Sequence, residues 1–344
     1  MAPSTISVAL GTRNGEEYVA EQVRSILDQT RLPTELIVSD DASSDGTIAT
    51  IRSIFSAGGH PNAGRVGLTI VENAVALGVT ANFAQAVSLC SGELIVLCDQ
   101  DDVWDGSKLE RQAAVFESRA GVDLVFTDAS LIDGTGGSLG LGLFDALEVD
   151  RMIIAAMRGD GAFDVLLRRN VATGATIMFR RGLLAHVLPF PAEWLHDEWL
   201  AIICAATSSV EAIEDRLTSY RQHGSNEVGV REASIGVKIR RAVEPRGDRN
   251  ARLVDRSMVL VSRLEDLGDA VAPRKLADAR IKVEVESWRV ALPSARLRRI
   301  APILTADRRG WYEKYCSQGR LDMVRDLLQS HRPDPASTRK RVSE

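Results

Sequence analysis

Two hydrophobic rhythms alternate along the first 130 residues. Short apolar runs at Ile6 to Leu10, Leu36 to Ser39, Gly67 to Val71, Leu94 to Cys98 and Asp123 to Thr127 have the length and β-branched character of strands. Between them, apolar residues recur every three or four positions. Val19, Val23, Ile26 and Leu27 form one such stripe, and Ile48, Ile51, Ile54 and Phe55 form another. Further helices are predicted over Asn82 to Leu89 and Lys108 to Arg119. Strands that alternate with helices predict an α/β fold whose mostly parallel sheet is flanked by helices on both faces. Later come an apolar stretch from Thr173 to Phe179, a helical run through Ala201 to Ala206, and short strands at Glu211 to Ile213 and Leu217 to Tyr220. Beyond residue 235 the pattern is helical, with Leu253, Val254, Met258, Val261, Leu264 and Leu267 on one face. Pro245, Pro273, Pro293 and Pro302 divide that region, and residues 331–344 read as a disordered tail. The pattern therefore predicts an α/β domain over 1–234, with its halves meeting near residue 128, and a helical region over 235–330.

The run Leu94 to Cys98 ends abruptly at Asp99-Gln100-Asp101-Asp102. Three carboxylates in four positions repel one another unless cations or protons neutralise them, and hard divalent ions prefer oxygen ligands. In parallel sheets ligands bind beyond the carboxyl ends of the strands, so the stretch reads as a metal site. Starting the helix that follows would need only one acid, and Asp105 or Ser107 is placed for it. Trp104 reads as a packed aromatic. The first strand is followed by Gly11-Thr12-Arg13-Asn14-Gly15, which lacks the G-x-G-x-x-G spacing of a dinucleotide site. The Gly-rich segment 134–142 lacks it too and reads as a mobile loop.

With 45% hydrophobic and 26% charged residues, the 344-residue chain has an ordinary globular composition. No stretch approaches the ~18 apolar residues of a membrane span. The N-terminus lacks a signal peptide's basic start and long apolar core, which predicts a cytoplasmic protein. Cysteines 90, 98, 204 and 316 have no metal-ligand spacing and read as core thiols. Charge divides the chain: residues 1–234 carry a net −15 and residues 235–310 a net +8. The acidic part holds the motifs, which argues against nucleic acid as a partner. The basic part could make a peripheral contact with an anionic membrane on its cytoplasmic face, or be a solvated helical bundle.

Five segments together resemble the inverting family two glycosyltransferases of the GT-A fold, especially the branch with bacterial rhamnosyltransferases of surface polysaccharide assembly. They are Thr12-Arg13-Asn14-Gly15, Ser39 to Thr47 with its Asp40-Asp41 pair, Cys98 to Trp104, Thr173-Gly174-Ala175 with His196-Asp197-Glu198-Trp199, and Tyr220-Arg221-Gln222-His223-Gly224. The resemblance covers roughly residues 6–230. It implies that the first half binds a UDP- or dTDP-sugar and the second half receives a glycan or lipid-linked glycan acceptor.

By the resemblance, Gly11 and Thr12 lie against the nucleoside, and Asp41, with Asp40 beside it, accepts the N3–H of a pyrimidine base. Asp99-Gln100-Asp101 is the D-x-D motif, with Asp99 nearer the ribose and Asp101 and Asp102 holding Mg²⁺ or Mn²⁺. Asp197 is the general base, with Glu198 as the neighbouring alternative, and Glu198 and Trp199 lie on the acceptor side. His196 reads as structural. Arg221 and His223 could reach the diphosphate or the metal. Arg13 stands where the family commonly has an aromatic, and the processive Q-x-x-R-W signature is absent near residue 220, which implies single additions. The expected activity is metal-dependent inverting transfer of a sugar such as rhamnose. A sugar nucleotidyltransferase, or a non-catalytic binding module on the same fold, is the competing reading.

Overall fold

The computed structural model describes residues 3–223 and 249–329. The expected boundary at 234/235, Gly224, Pro245 and the tail 331–344 lie outside them. The chain forms two compact units, one of Met1–Ala162 with Asn170–Val230, the other of Phe163–Arg169 with Arg231–Glu344.

The first unit winds as expected: β1 (Ile6–Thr12), α1 (Val19–Leu27), β2 (Glu35–Asp40), α2 (Thr47–Phe55), β3 (Gly67–Glu72), α3 (Val79–Leu89) and β4 (Leu94–Cys98). These four strands are parallel, in the order β3-β2-β1-β4. The chain therefore leaves from the centre, winds outward to β3 and crosses back to β4, opening a crevice beyond the carboxyl ends of β1 and β4. All five β4 residues are fully buried, as are Val19, Val23, Ile26 and Leu27 of α1. The predicted helical stripe is thus the face that covers the sheet.

Past β4 the sheet becomes mixed. It continues through β5 (Val103–Trp104), α4 (Lys108–Ser118), β6 (Val122–Asp133), β7 (Ser138–Gly142), α5 (Leu143–Ala146), α6 (Arg151–Met157), α7 (Ala162–Arg168), β8 (Met178–Arg180), α8 (Leu184–Val187), α9 (His196–Thr207) and β9 (Ser209–Gln222). The sheet order runs on as β4-β8-β6-β9-β5, with β7 on β6. Two expectations are corrected here. The Gly-rich segment is not a loose loop: Asp133 Oδ1 accepts the amides of Thr135 and Gly137, closing a turn that lays β7 antiparallel on β6. The strands at 211–213 and 217–220 are one strand, because polar Glu214 and Asp215 form a bulge between the pairs Ile213–Thr127 and Arg216–Asp128. Asp128 secures that bulge, accepting from Arg216 Nε at 2.9 Å and from the Phe144 amide at 2.8 Å.

The second unit is helical: α10 (Arg249–Asp266), α11 (Pro273–Val290), α12 (Arg296–Arg308), α13 (Trp311–Tyr315) and α14 (Arg320–Leu328). Residues 163–169 join it through Asp164, which pairs with Arg274, and Arg168, which donates to the Glu313 carbonyl. Its centre is unusually polar. Fully buried Arg289 meets Glu286 at 3.0 Å and Asp326 at 2.8 Å, while Arg299 donates to four backbone carbonyls. Part of the basic surplus therefore points inward. Among the described residues no helix is long and apolar enough to cross a membrane, and all four cysteines are buried thiols outside any disulfide.

One packing contact sets a pH dependence. His196, the first residue of α9, stacks on Phe83 of α3 with ring centroids 4.0 Å apart. Neither ring nitrogen has a hydrogen-bond partner among the described residues, and burial pushes the imidazole down to about 3. Its neutral form is the one that folds, so its contribution is complete above the unfolded value of 6.5 and is lost as pH falls from there toward 3. Urea denaturation should show wild type losing about 2 kcal/mol more than His196→Leu between pH 7 and pH 5.

Candidate active site

The site lies at the carboxyl ends of β1, β2 and β4. Thr12, the last residue of β1, donates its hydroxyl to Asp40 Oδ1 at 2.7 Å, and the Ser43 amide donates to Asp40 Oδ2 at 2.8 Å. Asp40 thus ties two strand ends to the turn beyond them. Asp41 beside it is buried and accepts the amides of Leu77 and Gly78, with the Arg13 guanidinium 3.7 Å away. Each carboxylate oxygen has two lone-pair directions, so Asp41 keeps capacity for another donor. Gly11 is needed for closeness: a Cβ there would stand 3.0 Å from the Phe83 ring.

The loop after β4 is clasped to the loop after β1. Gln100, the central residue of D-x-D, accepts from the Arg13 amide at 2.8 Å and donates to the Arg13 carbonyl at 2.9 Å. A Cβ on Gly15 would fall 2.1 Å from the Gln100 side-chain oxygen, so this clasp requires glycine there. Sequence reading assigned Gln100 nothing. Its signal was its place between the acids.

The acids differ in setting. Asp101 Oδ2 lies 2.8 Å from His223 Nε2, and the His223 ring stacks on Tyr18. Asp102 is buried, and its Oδ1 accepts the Arg221 amide at 2.9 Å. Its Oδ2 has no hydrogen-bond partner among the described residues. Burial first, then the charges of Asp101 and Asp99, pushes the Asp102 carboxyl well above the usual carboxylate range. The Arg221 side chain, expected to reach the diphosphate or the metal, is turned inward in this structure. It is buried beneath Tyr18, donates from Nε to the Asp101 carbonyl at 2.7 Å and pairs with Glu21 at 2.6 Å. A guanidinium surrounded by carbonyls and a carboxylate holds the loop that carries Asp101.

Asp197 sits in the first turn of α9, where the helix amino end favours a negative charge. Its Oδ2 accepts from the Gly174 amide at 3.0 Å and from Asn170 Nδ2 at 3.4 Å, while Oδ1 accepts the Glu198 amide. Glu198 is half-buried beside it. Trp199, expected on the acceptor side, is instead a core residue: it is fully buried and donates its indole N–H to the Val187 carbonyl. Asp99, Asp102, Asp101 and Asp197 all act on Tyr220, whose hydroxyl is raised first by burial and then by these charges.

Lys108 at the start of α4 escaped the sequence reading. It is wholly buried, its ammonium lying 4.5 Å from the Trp104 ring centroid. Burial pulls it down to about 8 against the opposing charges of Cys98, Asp102 and Asp99. A lysine opening an amphipathic helix reads as solvated, and only the fold turns it inward.

The residues present fit a divalent ion. Among the described residues no three His, Cys, Asp or Glu side chains form a cage. Mg²⁺ commonly takes one or two protein ligands and completes its shell with water and substrate phosphate. A carboxylate oxygen and an imidazole nitrogen 2.8 Å apart supply such a half-site.

Comparison with known proteins bears on the family and the fold. The Glycosyl transferase family 2 profile matches residues 7–187. An uncharacterised Mycobacterium tuberculosis protein is 28% identical over 227 residues, covering 63% of this chain and 59% of its own length. The match thus spans about three fifths of that relative. An Escherichia coli UDP-Glc:α-D-GlcNAc-diphosphoundecaprenol β-1,3-glucosyltransferase is 28% identical over 110 residues, covering 32% of this chain and 40% of its own length. In the solved structure of S. aureus TarS 1–349 with UDP-GlcNAc, 92% of that chain aligns with 98% of this one at 15% identity and a TM-score of 0.51, which establishes the shared GT-A architecture. The chain belongs to glycosyl transferase family 2.

Proposed function

We propose that the enzyme transfers a sugar, with inversion, from a UDP- or dTDP-sugar to a hydroxyl of a glycan or lipid-linked glycan. The observation that carries this reading is the clasp of Gln100 on the Arg13 backbone, which joins the loops at the carboxyl ends of the neighbouring parallel strands β1 and β4. Asp41, backed by Asp40 and Thr12, accepts the base N3–H, and Gly11 lets the nucleoside approach the backbone. Asp99 faces the ribose. Asp101 and His223 would hold the ion, with Asp102 behind them, and Arg221 fixes the Asp101 backbone. A bound Mg²⁺ or Mn²⁺ would neutralise charge growing on the diphosphate.

Asp197 is the base. The acceptor oxygen attacks the anomeric carbon as the bond from that carbon to the diphosphate oxygen breaks, the leaving oxygen keeping the electron pair. The acceptor proton passes to the Asp197 carboxylate, which Gly174 and Asn170 hold in place. The E. coli relative's lipid-diphosphate acceptor and UDP-Glc donor support this choice of substrates. Rhamnose as the sugar rests on the motif likeness to rhamnosyltransferases. A membrane-facing role for the helical unit rests on its surplus of cations, reduced by those turned inward.

Calorimetric titration with UDP, dTDP, GDP and ADP, each with and without Mn²⁺, should show metal-dependent binding of UDP or dTDP, and His223→Ala should weaken that dependence. Failure of every diphosphate to bind would remove the basis for the nucleotide assignment. Asp197→Asn should retain nucleotide affinity while sugar transfer falls by roughly 10²–10⁴-fold. A variant that transfers at the wild-type rate would exclude Asp197 as the base.

A further inference from the structure

Lys108 connects the acidic loop to the turn that holds Asp197. It begins α4, six residues after Asp102, and its buried ammonium donates to the Ala175 carbonyl at 2.6 Å and the Thr218 hydroxyl at 2.7 Å. One helical turn later, buried Gln112 donates to the Thr176 carbonyl at 2.8 Å. The two side chains therefore grip adjacent carbonyls of the single 3₁₀ turn Gly174–Thr176. That turn presents the Gly174 amide to Asp197 Oδ2. It has little slack, because a Cβ on Gly174 would stand 3.3 Å from His196 Nε2 and 3.4 Å from Asp197 Cβ.

A charged donor inside the protein is a costly way to satisfy a carbonyl, since a neutral amide makes the same bond without desolvating an ion. Gln112 does so at the next carbonyl. What the ammonium adds is a hydrogen bond from a charged donor, stronger than a neutral one, on a helix that begins six residues after the acidic loop. We propose that Lys108 is a positioning residue for the transfer step. Through the 174–176 turn it sets where the Gly174 amide stands, and so fixes the Asp197 carboxylate relative to the donor carried by the 99–102 loop. This rests on the assignment of Asp197 as base. Lys108 itself touches no substrate.

Three measurements test the proposal: nucleotide binding, turnover read as release of UDP or dTDP from the sugar nucleotide that the wild type consumes, and hydrogen exchange of the 173–177 peptide. Lys108→Met should bind UDP with Mn²⁺ within about threefold of wild type, yet lose roughly 10–100-fold in kcat with little change in donor KM, as expected when geometry at the reacting centre slips. Exchange at 173–177 should quicken while β4 stays protected. The decisive comparison is the Asp197→Asn background, where Lys108→Met should cost no further activity because both act through one group. Thr218→Val removes the other anchor of the ammonium without burying an unpaired carbonyl. It should give a smaller loss of the same kind and serves if Lys108→Met does not fold. Equal losses with and without the Asp197 carboxylate, or unchanged exchange at 173–177, would overturn the positioning role. Full activity of Asp197→Asn alone would instead overturn the base assignment, which separates the two failures.

Discussion

Three carboxylates placed at the end of a fully buried strand are the constraint on which the rest of the site depends. Close like charges in a poorly solvated place must be neutralised or protonated. The Lys108 ammonium, six residues on, opposes the rise of Asp102, while the Arg221 backbone amide and the His223 ring arrive from the end of β9 to bond Asp102 and Asp101. Pairing Val103 with Ser219 and Trp104 with Thr218 fixes the register that brings Arg221 to Asp102. A one-residue slip would turn Arg221 to the opposite face of the sheet.

The sides proposed to take donor and acceptor are built differently. On the donor side, side chains hold loop backbones: Gln100 clasps residue 13, and Asp40 gathers Thr12 and Ser43. On the acceptor side, a backbone amide holds a side chain, and that amide is itself held by a buried cation and an amide on α4. For the proposed role of Asp197 as base, restraint from behind by the main chain suits better than enclosure by side chains.

The helical unit shows how charge can mislead when read by composition. Its surplus of cations suggested a surface property. Yet Arg289, Arg299 and Lys282 are buried in a network with Glu286, Asp326 and backbone carbonyls. Such a core depends on geometry more than on burial, because removing either partner of a buried pair strands the other charge.

What the sequence determined by itself was whatever depends on neighbours along the chain. The strand and helix alternation through β4, the apolar faces of α1 and α2, and the clustering of acids after a buried strand all follow from local periodicity. So did the packed nature of Trp104 and the burial of Cys98 and Cys204. Tertiary structure alone decided which charges face inward. Arg221, Lys108 and Arg289 are ordinary surface residues by any local pattern, and only distant partners make their burial tolerable. It also turned Trp199 into the core, merged two short strands across the Glu214–Asp215 bulge, and made a hairpin of a glycine-rich stretch. Each of those outcomes rests on a hydrogen bond or contact spanning the fold or closing a turn through one carboxylate, and hydrophobic periodicity carries no record of such bonds.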